Sequence, residues 1–380
     1  MLEISEAMAR AALQRVGALR NERLTRDAQQ LLQMIDAPVK RLGTISKTPE
    51  RYSPQAHLRE RCDLERAYLL MRQDRREAVV EARKLLADCL RRNGPLSREP
   101  YLDGDTRLGF LSDLAAAFSQ VGQEIEAIAT SLYLLQEMGV PAEISQISEV
   151  VLSDPILRGR KSRIVTQLNN LSVRRMKLAY LSAFEGDTAS AVEGLARGRR
   201  EAEEALKLRD AGDSPRATTA RLLSRSNLAR IVFEQAALIE DLDDRGEALR
   251  ESRDDLTAIL KDSYELATIR PRARLIRAAV LGMLMLEQAR VSEVQGDRPT
   301  ATALAWTARV GMKPMMDFFV EDADEAHGRA IRYGDACRLT GDRRRASLTW
   351  ARARDRIALF RGPDSPAIAT LEARIDELRE

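Results

Sequence analysis

The sequence predicts an all-α fold, an α-solenoid of antiparallel helix hairpins with capping helices at both ends, and three observations carry that expectation. Apolar residues recur at i, i+3, i+4 and i+7, as in Leu64, Ala67, Tyr68 and Met71 or Val165, Leu168 and Leu171, while strand-type alternation is nearly absent. The periodic stretches end at short clusters of Pro, Gly, Asn and Asp, none long enough for a flexible linker. Small residues also return at a fixed offset across those clusters. Ala115 is followed by Gly122 and Ala127, Ala179 by Gly186 and Ala191, Ala236 by Asp243 and Ala248, Ala289 by Gly296 and Ala301, and Gly334 by Gly341 and Ala346. Two antiparallel helices approach closely where side-chain bulk is missing, and a Gly between them supplies the left-handed residue that ends the first helix.

Taken in order, residues 3–35 carry no repeat signature and read as one long helix or a pair broken near Gly17. Residues 1–53 are therefore expected to form a helical cap or a dimerising element, ending in a break over 37–54 that contains Pro38, Gly43, Pro49 and Pro54. Residues 68–89 make a looser first unit with Ala78 and Ala82 but no Gly in the turn. After a break over 93–105 comes the Ala115 unit; after Gly139 and Pro141, residues 143–153 read as an extra helix. Pro155 then opens a first helix of six or more turns ending near Glu185. Further breaks fall at 210–215, at Pro271, near Pro314 and at 362–366. The array is expected to span residues 54–361, and residues 362–380 to be a capping helix, with apolar Ile368, Leu371, Ile375 and Leu378, because a solenoid must cover its last open apolar face.

Composition narrows the function classes. Lys plus Arg number 61 and Asp plus Glu 58, so a formal charge of +3 gives no global field of the kind a dedicated nucleic-acid or membrane-surface binder carries. Cys62, Cys89 and Cys337 include no CxxC pair, and two histidines, His57 and His327, make a His-based metal centre unexpected. The longest apolar run, residues 278–286, ends at Glu287 and is far short of the ~20 residues that span a bilayer. The N-terminal residues, with Glu3 and Glu6, do not read as a signal peptide, which favours a cytoplasmic chain.

Residues 114–122, reading L-A-x-x-F-x-x-x-G, followed by Glu126 and Ala127, resemble the tetratricopeptide family. GDTASAV (186–192), GDRPTATA (296–303) and GDRRRAS (341–347) keep the G-D turn and the following Ala. The resemblance covers residues 64–360 and implies a right-handed superhelix. Departing from it, the reference positions stand 64, 57, 53 and 45 residues apart, against ~34 in the standard repeat, so longer or additional helices are expected. Asn170-Leu171 and Asn227-Leu228 stand at similar offsets before Ala179 and Ala236, as lengthened first helices would require. The resemblance also implies a concave face lined by first helices. Carried over residue by residue, it selects Met176, Tyr180, Phe184, Arg230, Phe233, Asp241, Met283, Leu286, Arg290, Glu293, Ile331, Asp335 and Arg338. Met176, Tyr180, Phe184, Arg230, Phe233, Met283, Leu286, Arg290 and Arg338 form the expected partner-binding set, which suits a peptide or helix with acidic ends.

Chemistry elsewhere is sparse. Asp243, Asp244 and Glu247 make a DDxxE string of the type that can hold Mg²⁺ and diphosphate, but it falls at an inter-helix turn with no second acidic motif. Glu321, Asp322, Asp324 and Glu325 read as an acidic first turn. No GxSxG, GxxxxGK[ST] or GxGxxG string occurs. Cys62 and Cys89 lie on apolar faces, and His327 reads as a surface or capping residue. Arginine clusters at 158–163, 197–200, 270–277 and 343–345 lack the interleaved aromatics that single-stranded nucleic acid would want, so they read as solvated faces. Met283, Met285, Met312, Met315 and Met316, beside Phe318 and Phe319, read as core or as an adaptable peptide surface. The expectation is a non-enzymatic protein-interaction module with no cofactor, no metal and no nucleic-acid partner, able to pair with a second copy through its N-terminal helices. The alternatives are the peptide- or ligand-sensing region of a bacterial regulator and, more remotely, a helical Mg²⁺-dependent enzyme.

Overall fold

A computed structural model describes residues 6–21, 25–42, 54–73, 75–98, 100–209, 214–266, 269, 271–318 and 323–378. The chain is all-α, with sixteen α-helices, one short 3-10 helix and no strand among the described residues. It divides into two compact units, Met1–Met138 and Gly139–Glu380. The first holds α1 (Glu6–Asn21), α2 (Thr25–Leu42), α3 (Pro54–Met71), α4 (Arg76–Asn93), α5 (Gly104–Gln120) and α6 (Glu124–Glu137). The second holds α7 (Ile147–Ser153), α8 (Pro155–Phe184), α9 (Thr188–Lys207), α10 (Pro215–Ala236), α11 (Leu242–Glu265) and α12 (Pro271–Val294). It continues with α13 (Arg298–Phe318), α14 (Ala323–Leu339), α15 (Arg343–Arg361) and α16 (Pro366–Glu377). Successive helices pack as neighbouring pairs, which is compatible with a helical repeat.

The recurrent glycine has a backbone cause. Gly122, Gly186, Gly296 and Gly341 have φ of 72°, 92°, 83° and 80°, the left-handed region in which a Cβ is strained. In each turn the next residue's N–H reaches back five positions: Gln123 to Phe118 O (2.9 Å), Asp187 to Ser182 O (2.8 Å), Asp297 to Ser292 O (2.9 Å) and Asp342 to Cys337 O (2.9 Å). That is the Schellman closure of a helix end. The aspartate of the G-D pair then starts the next helix, with Asp187 accepting from Ser190 N, Asp297 from Thr300 N and Asp342 from Arg345 N. Where Asp243 replaces the glycine, the turn is built differently. Asp241 caps α11 by accepting from Asp243 N at 2.9 Å and Asp244 N at 3.0 Å.

Glycines allow the closest approaches between neighbouring helices. A Cβ on Gly282 would lie 2.9 Å from Ala308 O, and one on Gly334 would lie 2.4 Å from Trp350 Nε1, so α12 and α13, and α14 and α15, meet at distances only glycine permits. The 30-residue α8 is the predicted long first helix, and α7 with its preceding 3-10 turn is the predicted extra one.

Some expected boundaries differ. α1 runs through Gly17 to Asn21, so no helix end falls near Gly17. Two expected stops lie inside helices: α2 continues past Pro38 to Leu42 and α13 past Pro314 to Phe318. A proline removes one i to i−4 hydrogen bond, and in α13 the buried Met312 and Met315 on either side hold the turn in place. Nor do the expected divisions after residues 53 and 361 coincide with the division into units. α1 and α2 both pack on α3 within the first unit, and α16 packs on α15 within the second.

Candidate functional site

In the second unit, the first members of four pairs, α8, α10, α12 and α14, come together, with Tyr180 and Gly328 in contact across 148 residues of chain. Tyr180 on α8 stacks under the guanidinium of Arg332 on α14, 4.2 Å from the ring centre. Arg332 donates to both carboxylate oxygens of Glu234 on α10, at 2.8 Å to Oε1, and to Met283 Sδ on α12 at 3.4 Å. One turn further along, Arg290 donates to both oxygens of Glu287 at 2.7 Å and pairs with Asp335. Arg374 of α16 donates to Asp335 Oδ1 at 2.7 Å and lies over Phe184. Three guanidinium groups thus face three carboxylates. Burial alone would raise the Glu287 carboxyl, but Arg290 and Arg332 outweigh it and hold it below the usual range. Burial pushes the Tyr180 hydroxyl up to about 12.

This layer places the predicted binding residues. Met176, Phe233, Met283 and Leu286 are interior, each 2% exposed or less. Tyr180, Phe184, Arg230 and Arg290 are half-buried, and Arg338 is exposed in an ion pair with Glu293 at 2.9 Å. Ile331 and Asp335 are buried as well. The four interior residues do not line an open surface, because α14 reaches back to α8 and fills the space a partner would need. The cavity left among Met176, Tyr180, Met283 and Arg332 is about 20 Å³, room for a single water. Sequence reasoning missed Arg332, Glu234 and Arg374. The only local signal was the i, i+3 spacing of Glu287 and Arg290, which says nothing about the helix that meets them.

The first unit is more open. A groove of about 330 Å³ between α1, α3 and α5 contains Arg20, which sits 4.1 Å from the Tyr68 ring centre and pairs with Glu65 at 3.0 Å, and Arg61, which pairs with Asp113. A larger groove of about 740 Å³ runs between α2 and the end of α3. Its rim carries Arg26, Arg66, Arg72 and Arg75, and no described residue lining it is acidic. A third groove, about 560 Å³ over α10 between α9 and α11, has a mixed rim with Arg225 bonded to Asp255 at 2.6 Å.

The remaining candidates resolve into structural contacts. Asp243 and Asp244 stand in the first turn of α11, where Gln295 donates to Asp243 at 3.1 Å. Arg197 and Arg199 pair with Glu193 and Glu203 along α9, and Arg274 caps the end of α11 by donating to Ser263 O and Leu266 O. Met312 and Met315 are buried core and Met285 and Met316 half-buried. All three cysteines are buried and unbridged. The side chains of Phe318, Phe319, Glu321, Asp322, Asp324, Glu325 and His327 lie outside the described residues. Among the described residues no His, Cys, Asp and Glu cluster has metal-holding geometry, and no helix is long and apolar enough to cross a membrane. The chain matches no protein-family model and no curated protein at a significant level.

Proposed function

We propose that this chain is a non-enzymatic protein-interaction module, a right-handed tetratricopeptide-like solenoid that holds a peptide or partner helix in grooves between its helices. The observation that carries the reading is the contrast in free space: about 740 Å³ between α2 and α3, against about 20 Å³ within the inner layer of the second unit. The first volume falls within the range of ordinary ligand clefts and the second does not. The reading moves the partner site from the second unit to the first. It retains a cytoplasmic protein partner with no cofactor, metal or nucleic acid. Pairing of two copies through α1 and α2 belongs to the same reading, and sedimentation at several concentrations tests it.

The main test is affinity capture from the source cell's lysate, with retained proteins identified by mass spectrometry. A specific protein retained by the native chain, with measurable affinity once purified, is the expected result; empty captures would remove the reading. Charge reversal at Arg290 does not serve here, since it would break the pairs to Glu287 and Asp335 and unsettle the fold itself.

A second reading, a ligand-sensing region, has its own support. The Arg332, Glu234, Glu287, Arg290 and Asp335 layer joins three helices, α10, α12 and α14, so a shift of one of them against the others must break charge-assisted bonds. Scattering profiles unchanged across peptide and small-molecule candidates would leave it without support.

A further inference from the structure

The α2 to α3 groove has a chemistry more specific than its size. Arg26 and Arg75 are exposed on its rim, Arg66 and Arg72 are half-buried, and Gln29 and Gln33 supply neutral amides. Its floor is Leu32, Leu69 and Leu70. Arg72 is anchored by donating to Arg20 O at 2.6 Å, which positions its guanidinium before a ligand arrives, and the exposed Arg75 donates to Gln73. The first turn of α2 and the last turn of α3 both border the groove, and their opposed dipoles offset each other. Among the described lining residues, the arginines are the charged ones.

We propose that the α2 to α3 groove of the first unit binds an acidic segment of a partner protein, its carboxylates on Arg26, Arg66, Arg72 and Arg75 and an apolar side chain on Leu32, Leu69 and Leu70. This rests on the interaction reading above and names the partner's chemistry. Arginine presents a planar fork that matches a carboxylate with two hydrogen bonds. Single-stranded nucleic acid would be held by stacking on aromatic rings, and none lines this groove among the described residues.

Fluorescence anisotropy on the full chain tests the proposal. The probes are a labelled peptide of Glu, Asp and Leu, the same peptide with Gln and Asn replacing the acids, and a labelled oligo-dT. The acidic peptide is expected to bind, more weakly as salt rises. The Arg26→Glu/Arg75→Glu variant is expected to lower its affinity about tenfold or more with an unchanged melting temperature. If that variant melts early, Arg26→Gln/Arg75→Gln is read instead. No binding by the native chain, equal binding of the neutral peptide, tighter binding of oligo-dT, or full affinity in the variant would each overturn the proposal. In lysate capture, a partner kept equally by native chain and variant overturns the groove but leaves the interaction reading standing. No partner with either removes the interaction reading, while anisotropy still decides the groove.

Discussion

Glu201 on α9 is fully buried, and Arg175 Nε donates to it at 2.6 Å. Burial raises its carboxyl to about 7, with Arg175 offsetting only part of the effect. An acid whose folded pKa is raised binds its proton more tightly in the native state, so stability should fall as pH rises from about 4.5 to about 7. The Glu201→Gln variant, measured by urea unfolding, is expected to lose that segment of the pH dependence and to gain about 1 to 3 kcal/mol relative to the native chain at pH 8. Equal pH profiles for the two proteins would show that Arg175 holds the carboxylate charged. The Arg332 and Glu234 pair argues the other way, since both are buried and bonded. Arg332→Met is expected to cost about 3 kcal/mol or more because it strands Glu234, and Arg332→Met/Glu234→Leu to recover most of that loss. A double-mutant cycle in urea measures the coupling, and additive losses would argue against it.

Several helices are started and stopped by chemistry within a few residues. Asp154 precedes Pro155 and accepts from Ile156 N at 2.7 Å and Leu157 N at 3.2 Å, so α8 begins with its first donors satisfied and proline at its first position. Asp154→Ala is expected to lower stability by about 1 kcal/mol in chemical denaturation. Between helices, the Gly282 and Gly311 backbones lie so close that a Cβ on either would meet a carbonyl oxygen at about 3 Å. Gly282→Leu should force α12 and α13 apart and cost about 3 kcal/mol. A melting temperature unchanged by this substitution would mean the two helices can shift without loss. The helix periods, the G-D turns and the long α8 were legible in the sequence because each depends on residues near in the chain. Pro314 misled because a single proline weakens a helix without ending it where buried neighbours such as Met312 and Met315 pack on both sides.

Each compact unit has apolar clusters of its own. Leu13, Val16, Leu32, Leu58 and Leu69 gather in the first, and Phe233, Met283, Leu284, Ile331 and Trp350 in the second. Fragments 1–138 and 139–380, expressed separately, are therefore expected to keep helical circular dichroism and to melt cooperatively. Loss of cooperative melting in either would show that it needs the other's surface. The distribution of open space belongs to this scale too: the first unit leaves grooves of about 740 and 330 Å³, and the second packs the facing sides of α8, α10, α12 and α14 as core while keeping a groove of about 560 Å³ over α10.

The candidate site was much less legible than the fold. Nine residues were expected on an open face from their register on first helices; Met176, Tyr180, Arg230 and Met283 of that set border one small cavity among α8, α10, α12 and α14. Asn169, rather than the neighbouring Asn170, is the asparagine that reaches across, with its Nδ2 donating to Ser224 Oγ at 3.0 Å. The sequence by itself determined which segments are helical, where the left-handed glycines stop them and which aspartates restart them, since those outcomes rest on local backbone sterics and capping. Tertiary structure alone decided that Met176, Phe233, Met283 and Leu286 became core and that Arg26, Arg66, Arg72 and Arg75 came to share a rim. An apolar stripe marks the side of a helix that leaves water; whether a distant helix or a partner covers it depends on contacts between residues far apart in the chain.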